Sequence, residues 1–161
     1  MRKSKLIILL VEDNPAHAEM VLRSFEQHNA ASHIYHVSDG QAALDYLFRR
    51  GDYENPRASP RPNIVLLDLR LPKLSGLEVL REIKTTPDLK CIPVVILTTS
   101  EAEQDLARAY ADRANSYLVK PVDFDKFVQL MHNLDMYWLG WNYTPCPDRR
   151  NATNVINKET Q

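Results

Sequence analysis

Short apolar runs alternate with stretches of helical period along most of the chain, and this alternation limits the possible folds more than any other feature. Leu6–Val11 is a continuous apolar run, the pattern of a strand buried on both faces. Asn14-Pro15 then reads as a helix cap followed by a first-turn proline. Ala18, Val21, Leu22 and Phe25 recur at i, i+3, i+4 and i+7, which predicts a helix near 15–28. The pattern repeats, with strands expected at 34–37, 63–67, 92–97 and 116–119. Helices are expected near 41–50, 77–85 and 101–113, and a last one is capped by Asp123, with Phe124, Phe127, Val128, Met131 and Trp138 in phase. Five strands alternating with five helices imply an α/β fold, a doubly wound five-stranded parallel sheet with right-handed crossovers. The segment 51–62 carries Pro56, Pro60 and Pro62 without apolar period, so a long surface loop is expected there. Residues 1–141 are expected to form one domain with an extended last helix. The polar stretch 142–161 is expected to be a tail, with no output domain.

Composition narrows the function classes. A net charge of -1, from 20 basic and 21 acidic residues, provides no bulk field for nucleic acid. The longest apolar run, Leu6–Val11, falls far short of the roughly 20 residues of a bilayer span. A soluble, cytoplasmic chain with no nucleic-acid or membrane partner is therefore expected. Cys91 and Cys146 have neither a CxxC spacing nor a paired histidine, and two ordinary thiols are expected. His17, His28, His33, His36 and His132 show no metal-ligand spacing, and no glycine-rich phosphate loop occurs.

In an open α/β sheet the site lies outside the carboxyl ends of the strands. Those ends carry Glu12-Asp13, Asp68, Thr98 and Lys120. Three clustered carboxylates raise one another's pKa, and a hard divalent cation with oxygen ligands, Mg²⁺, relieves that repulsion. A carboxylate nucleophile can form an aspartyl-phosphate, and a lysine and a hydroxyl can then neutralise and hydrogen-bond the phosphoryl oxygens.

With these residues in place the chain resembles the receiver domain of two-component response regulators, the CheY-like family. The matching segments are Leu10-Val11-Glu12-Asp13-Asn14, Leu67-Asp68-Leu69-Arg70-Leu71-Pro72 with Ser75-Gly76, Leu97-Thr98-Thr99-Ser100, and Tyr117-Leu118-Val119-Lys120-Pro121. The resemblance spans about 5–139. It implies a flavodoxin-like fold and a phosphoacceptor switch in a phosphorelay, with self-catalysed gain and loss of phosphate rather than enzyme turnover. Asp68 would take the phosphoryl group from a sensor histidine kinase. Glu12, Asp13, Asp68 and the backbone carbonyl of Arg70 would hold Mg²⁺. Lys120 would pair with the phosphoryl group, and the bond before Pro121 is expected to be cis. Thr98 and Tyr117 would form the switch that remodels the helix 4–strand 5–helix 5 face, and Arg70 and Ser100 would tune phosphate lifetime. The proline-rich insert, Leu97-Thr98-Thr99-Ser100 and Tyr137-Trp138-Leu139 also look like the stand-alone receivers that partner phytochrome-type histidine kinases.

The last helix carries a second apolar set, Leu130, Leu134, Tyr137 and Trp141, which predicts a homodimer through that helix. Two other functions share this sequence pattern. One is a pseudo-receiver that binds partners without phosphorylation. The other is a Mg²⁺-dependent aspartyl phosphatase, which the arginine two residues after Asp68 disfavours because it stands where a general acid is needed.

Overall fold

The computed structural model describes residues 6–28, 32–99, 103–121 and 123–136. The elements are β1 (Leu6–Val11), α1 (Pro15–His28), β2 (Ser32–Val37), α2 (Gly40–Phe48), β3 (Ile64–Leu67), α3 (Gly76–Thr85), β4 (Val94–Thr98), α4 (Glu103–Ala111), β5 (Ser116–Val119) and α5 (Phe124–Met136). Every strand pair is parallel, and the sheet order is β2-β1-β3-β4-β5. From β1 the chain crosses to β2 on one side and then to β3 on the other, so the switch point of the sheet lies between β1 and β3.

Alternate side chains of the apolar strands face opposite sides, which explains why no polar residue interrupts them. Leu9, Val11, Val65, Leu67, Val94 and Ile96 pack with α2, α3 and α4. Ile8, Leu10, Ile64, Leu66, Val95 and Leu97 pack with Val21 and Phe25 of α1 and with Phe127 and Met131 of α5.

Local chemistry sets the helix starts. Asp39 caps α2 by accepting from Ala42 N, Ser75 and Glu78 form a reciprocal capping box on α3, and Asp123 accepts from Lys126 N at 3.1 Å. Helix α4 ends at Ala111, two residues before the 113 expected. Phe124 is 58% exposed, although its spacing matches the buried Phe127; it sits at the first residue of α5. Trp138 lies outside the described residues.

Two expectations need correction. The segment 51–62 is not a plain surface loop. It holds a 3-10 turn at Gly51–Tyr53, the Tyr46 hydroxyl donates to Pro60 O at 2.7 Å, Arg61 donates to Leu47 O at 3.0 Å, and Ser59 is buried. Tilted ring contacts of Tyr46 with Tyr35 at 5.9 Å and with Tyr53 at 5.5 Å complete the anchor. Cys91 is disulfide-bonded rather than a free thiol; pairing follows proximity in space, which separation in sequence hides. Cys146 lies outside the described residues. No described helix is long and apolar enough to cross a membrane.

Candidate functional site

Backbone hydrogen bonds just past the strand ends bring the candidate residues to one rim. Glu12 N donates to Val37 O at 3.1 Å, Asp68 N to Val11 O at 3.1 Å, and Lys120 N to Thr98 O at 2.8 Å. Glu12, Asp68, Thr98 and Lys120 are all buried there, while Asp13 is exposed.

The two oxygens of Asp68 have different partners. Oδ1 accepts from Arg70 N at 3.0 Å and from Thr98 Oγ1 at 3.1 Å. Oδ2 accepts from Lys120 Nζ at 2.9 Å. Lys120 Nζ also donates to Glu12 Oε2 and to His17 Nδ1, the latter at 3.1 Å. Glu12 Oε1 accepts from Asn14 N at 3.1 Å, and the His36 ring donates from Nε2 to Glu12 O at 2.8 Å.

Burial pushes the Glu12 carboxyl up to about 7; the Asp68 charge adds to this, and together they outweigh the attraction of Lys120. Asp68 is desolvated too. Its hydrogen bonds to Lys120 and to the Arg70 amide more than offset burial, so its pKa falls below the usual carboxylate range. Near neutral pH, therefore, Asp68 is the ionised carboxylate of the pair and Glu12 holds any shared proton.

Carboxylate oxygens of Glu12, Asp13 and Asp68 lie within 4.8 Å of one another. One ammonium faces three carboxylates, so the cluster carries excess negative charge, and its all-oxygen donor set suits a divalent cation. Arg70 reaches the site through its backbone amide, and its side chain is exposed. Tyr117 is half-buried against the α2/α3/α4 side of the core. Ser100 lies outside the described residues. The peptide bond before Pro121 is trans, against expectation, since no described peptide bond is cis. The trans form is the intrinsically preferred one for X-Pro bonds, and the trans bond leaves Lys120 Nζ within reach of both carboxylates. Leu130 and Leu134 are half-buried on the same cluster as Phe127 and Met131, so they do not form a separate outward stripe. Tyr137 and Trp141 lie outside the described residues.

His17 lies at the site although it shares no metal-ligand spacing with another histidine. The one sequence signal is the Asn14-Pro15 cap, which puts His17 in the first turn of α1 without revealing its contact; its backbone N donates to the Asn14 side chain at 3.3 Å. Side chains there lean back toward the helix N-terminus and hence toward the rim.

The sequence matches the response regulator receiver domain family over residues 8–132. It is 50% identical over 141 residues to the probable methanogenesis regulatory protein FilR2 of Methanothrix harundinacea, covering 88% of each chain. It is 43% identical to response regulator Rcp1 of Synechocystis sp., covering 83% of this chain and 88% of Rcp1. The Mn(2+)-bound crystal structure of Rcp1 aligns with a TM-score of 0.81 at 41% identity, over 87% of this chain and 99% of that one. The phosphorylated cyanobacterial phytochrome response regulator RcpA aligns with a TM-score of 0.83 at 37% identity, over 88% and 99%.

Proposed function

The chain belongs to the response regulator receiver family, and on that premise we propose that Asp68 accepts a phosphoryl group from a sensor histidine kinase, with Mg²⁺ bound beside it, and so switches a protein-contact surface. One observation carries this reading: a buried, ionised Asp68 has Lys120 on one oxygen and Thr98 on the other, next to two further carboxylates. In the transfer, an Asp68 oxygen forms the new P–O bond. The P–N bond of the kinase's phosphohistidine breaks, and the imidazole leaves with the electron pair.

Glu12, Asp13, Asp68 and the Arg70 carbonyl would hold Mg²⁺, whose charge offsets the carboxylates and a phosphoryl oxygen. Lys120 turns from Asp68 Oδ2 to the phosphoryl group, and Thr98 gives up Asp68 Oδ1 to do the same. Tyr117 follows Thr98 inward, while Arg70 and Ser100 tune phosphate lifetime. Leu106, Tyr110, Val119 and Phe124, all exposed, lie on α4, β5 and α5, and this apolar surface supports output through protein contact. The likeness to RcpA supports a phytochrome-type kinase as the phosphoryl source.

Incubation with acetyl phosphate tests the proposal. A Mg²⁺-dependent mass gain of one phosphoryl group is expected. Rapid hydrolysis of acetyl phosphate without a stable adduct would favour the phosphatase, and no uptake from acetyl phosphate or a kinase would favour the pseudo-receiver.

A pH dependence follows from Glu12. Its folded pKa is raised to about 7, so the carboxyl holds a proton below that pH, and a cation must displace it. Affinity is therefore lost as pH falls through 7. The Mg²⁺ Kd is expected to be at least about fivefold weaker at pH 6 than at pH 8, approaching tenfold per unit below pH 7. Calorimetric titration showing equal affinity at both pH values would contradict Glu12 as a ligand.

We also propose that the chain forms a homodimer through the last helix and nearby surface, although Leu130 and Leu134 are already half-buried within one subunit. Sedimentation equilibrium at tens of micromolar is expected to give twice the chain mass. A monomer at that concentration removes the dimer.

A further inference from the structure

We infer that His17 is a positioning residue for Lys120, giving its ammonium a third station so that Glu12 can be released to a cation. The inference rests on the proposed function and deepens it. A lysine ammonium has three N–H donors and no acceptor. All three are directed within the site, to Asp68 Oδ2 at 2.9 Å, to Glu12 Oε2, and to His17 Nδ1 at 3.1 Å. Because the ammonium can only donate, Nδ1 is the unprotonated ring nitrogen and His17 is the Nε2–H tautomer. Burial and the neighbouring Lys120 charge lower the His17 pKa, in keeping with a neutral, accepting ring.

Glu12 has two claimants, Lys120 and a cation at the Glu12, Asp13 and Asp68 cluster. Lys120 is buried, so its donors cannot turn to bulk water when Glu12 is withdrawn. His17 keeps one donor satisfied and holds Nζ beside Asp68 during that exchange. Without it the ammonium clings to Glu12, which weakens cation binding, and Nζ is less well aimed at an incoming phosphoryl group. Imidazole is suited to this station because it accepts through one nitrogen without adding a fourth negative charge.

His17→Leu removes the acceptor at similar bulk, whereas His17→Asn returns an acceptor oxygen near the Nδ1 position. Mg²⁺ affinity by calorimetry and the rate of phosphoryl uptake from acetyl phosphate are read on both variants and on the parent protein, with thermal melting to confirm the fold. His17→Leu is expected to weaken Mg²⁺ three- to tenfold and slow uptake by a similar factor, with His17→Asn restoring both to within about twofold. Leucine and parent values within 1.5-fold, or an asparagine variant as poor as the leucine variant, would overturn the role of His17. Absence of uptake in the parent protein would instead overturn the receiver reading, and the Mg²⁺ titrations would still decide the His17 inference.

Discussion

Asp68→Asn is expected to take up no phosphoryl group while keeping the fold. The amide has no lone pair available at nitrogen, and its oxygen carries no full charge, so the attacking carboxylate is lost. The substitution is close in shape, which isolates chemistry from packing. Oδ1 faces two donors, Arg70 N and Thr98 Oγ1, and Oδ2 faces Lys120 Nζ. Whichever way the amide turns, its NH₂ group meets a donor, a mismatch costing about 1–3 kcal/mol. Loss of one negative charge beside Glu12 and Asp13 works in the opposite direction. The net change is small against the roughly 5–15 kcal/mol stability of a typical domain, so the variant stays folded. Intact mass after acetyl phosphate treatment should drop from one added phosphoryl group to none, at least a hundredfold loss of rate. Hydroxylamine-sensitive phosphate on Asp68→Asn would mean that another carboxylate is the acceptor.

The second large effect is structural. Gly76 opens α3 directly behind the phosphoacceptor loop, and its N–H donates to Leu69 O at 3.0 Å. A Cβ added there would lie 2.1 Å from Asp68 O and 2.6 Å from Leu69 Cα. Those neighbours are backbone atoms and cannot rotate away. Alanine has a better helix propensity than glycine by about 1 kcal/mol, but overpacking against backbone costs typically 1–3 kcal/mol and occasionally more, so the clash prevails. Gly76→Ala should therefore lower stability by roughly 2 kcal/mol, a Tm drop of about 4–8 °C at this chain length. It should also slow phosphoryl uptake, because relief of the clash displaces Asp68. A melting temperature at or above the parent value would show that the close approach is not needed.

The fold was largely legible because β1, β3 and β4 are apolar at consecutive positions and α1, α2, α3 and α5 carry side-chain caps. Leu6–Val11 and Ile64–Leu67 are largely buried and paired on both sides within the sheet, so their pattern needs no knowledge of neighbours, whereas Ser116–Val119 is an edge strand whose residues are only partly buried or exposed. Asp68, Glu12, Thr98 and Lys120 were legible because strand ends converge at one rim in any parallel sheet of this kind. What could not be read depends on distances between segments far apart in sequence. Tyr46 reaching Pro60, the disulfide at Cys91 and the Lys120–His17 contact leave no periodic trace. Phe124 fits the helical phase yet lies exposed, because phase gives direction around a helix and not whether the sheet extends that far. The trans bond before Pro121 is likewise a property of the local geometry, to which the Lys-Pro dipeptide is indifferent.

The most direct test is to find which residue carries the phosphoryl group. Borohydride reduces an acyl phosphate to an alcohol, so reduction of the acetyl phosphate-treated protein followed by peptide mass mapping marks the acceptor. One reduced residue, Asp68, is the predicted result. A mark on Glu12 or Asp13 with Asp68 untouched would contradict it.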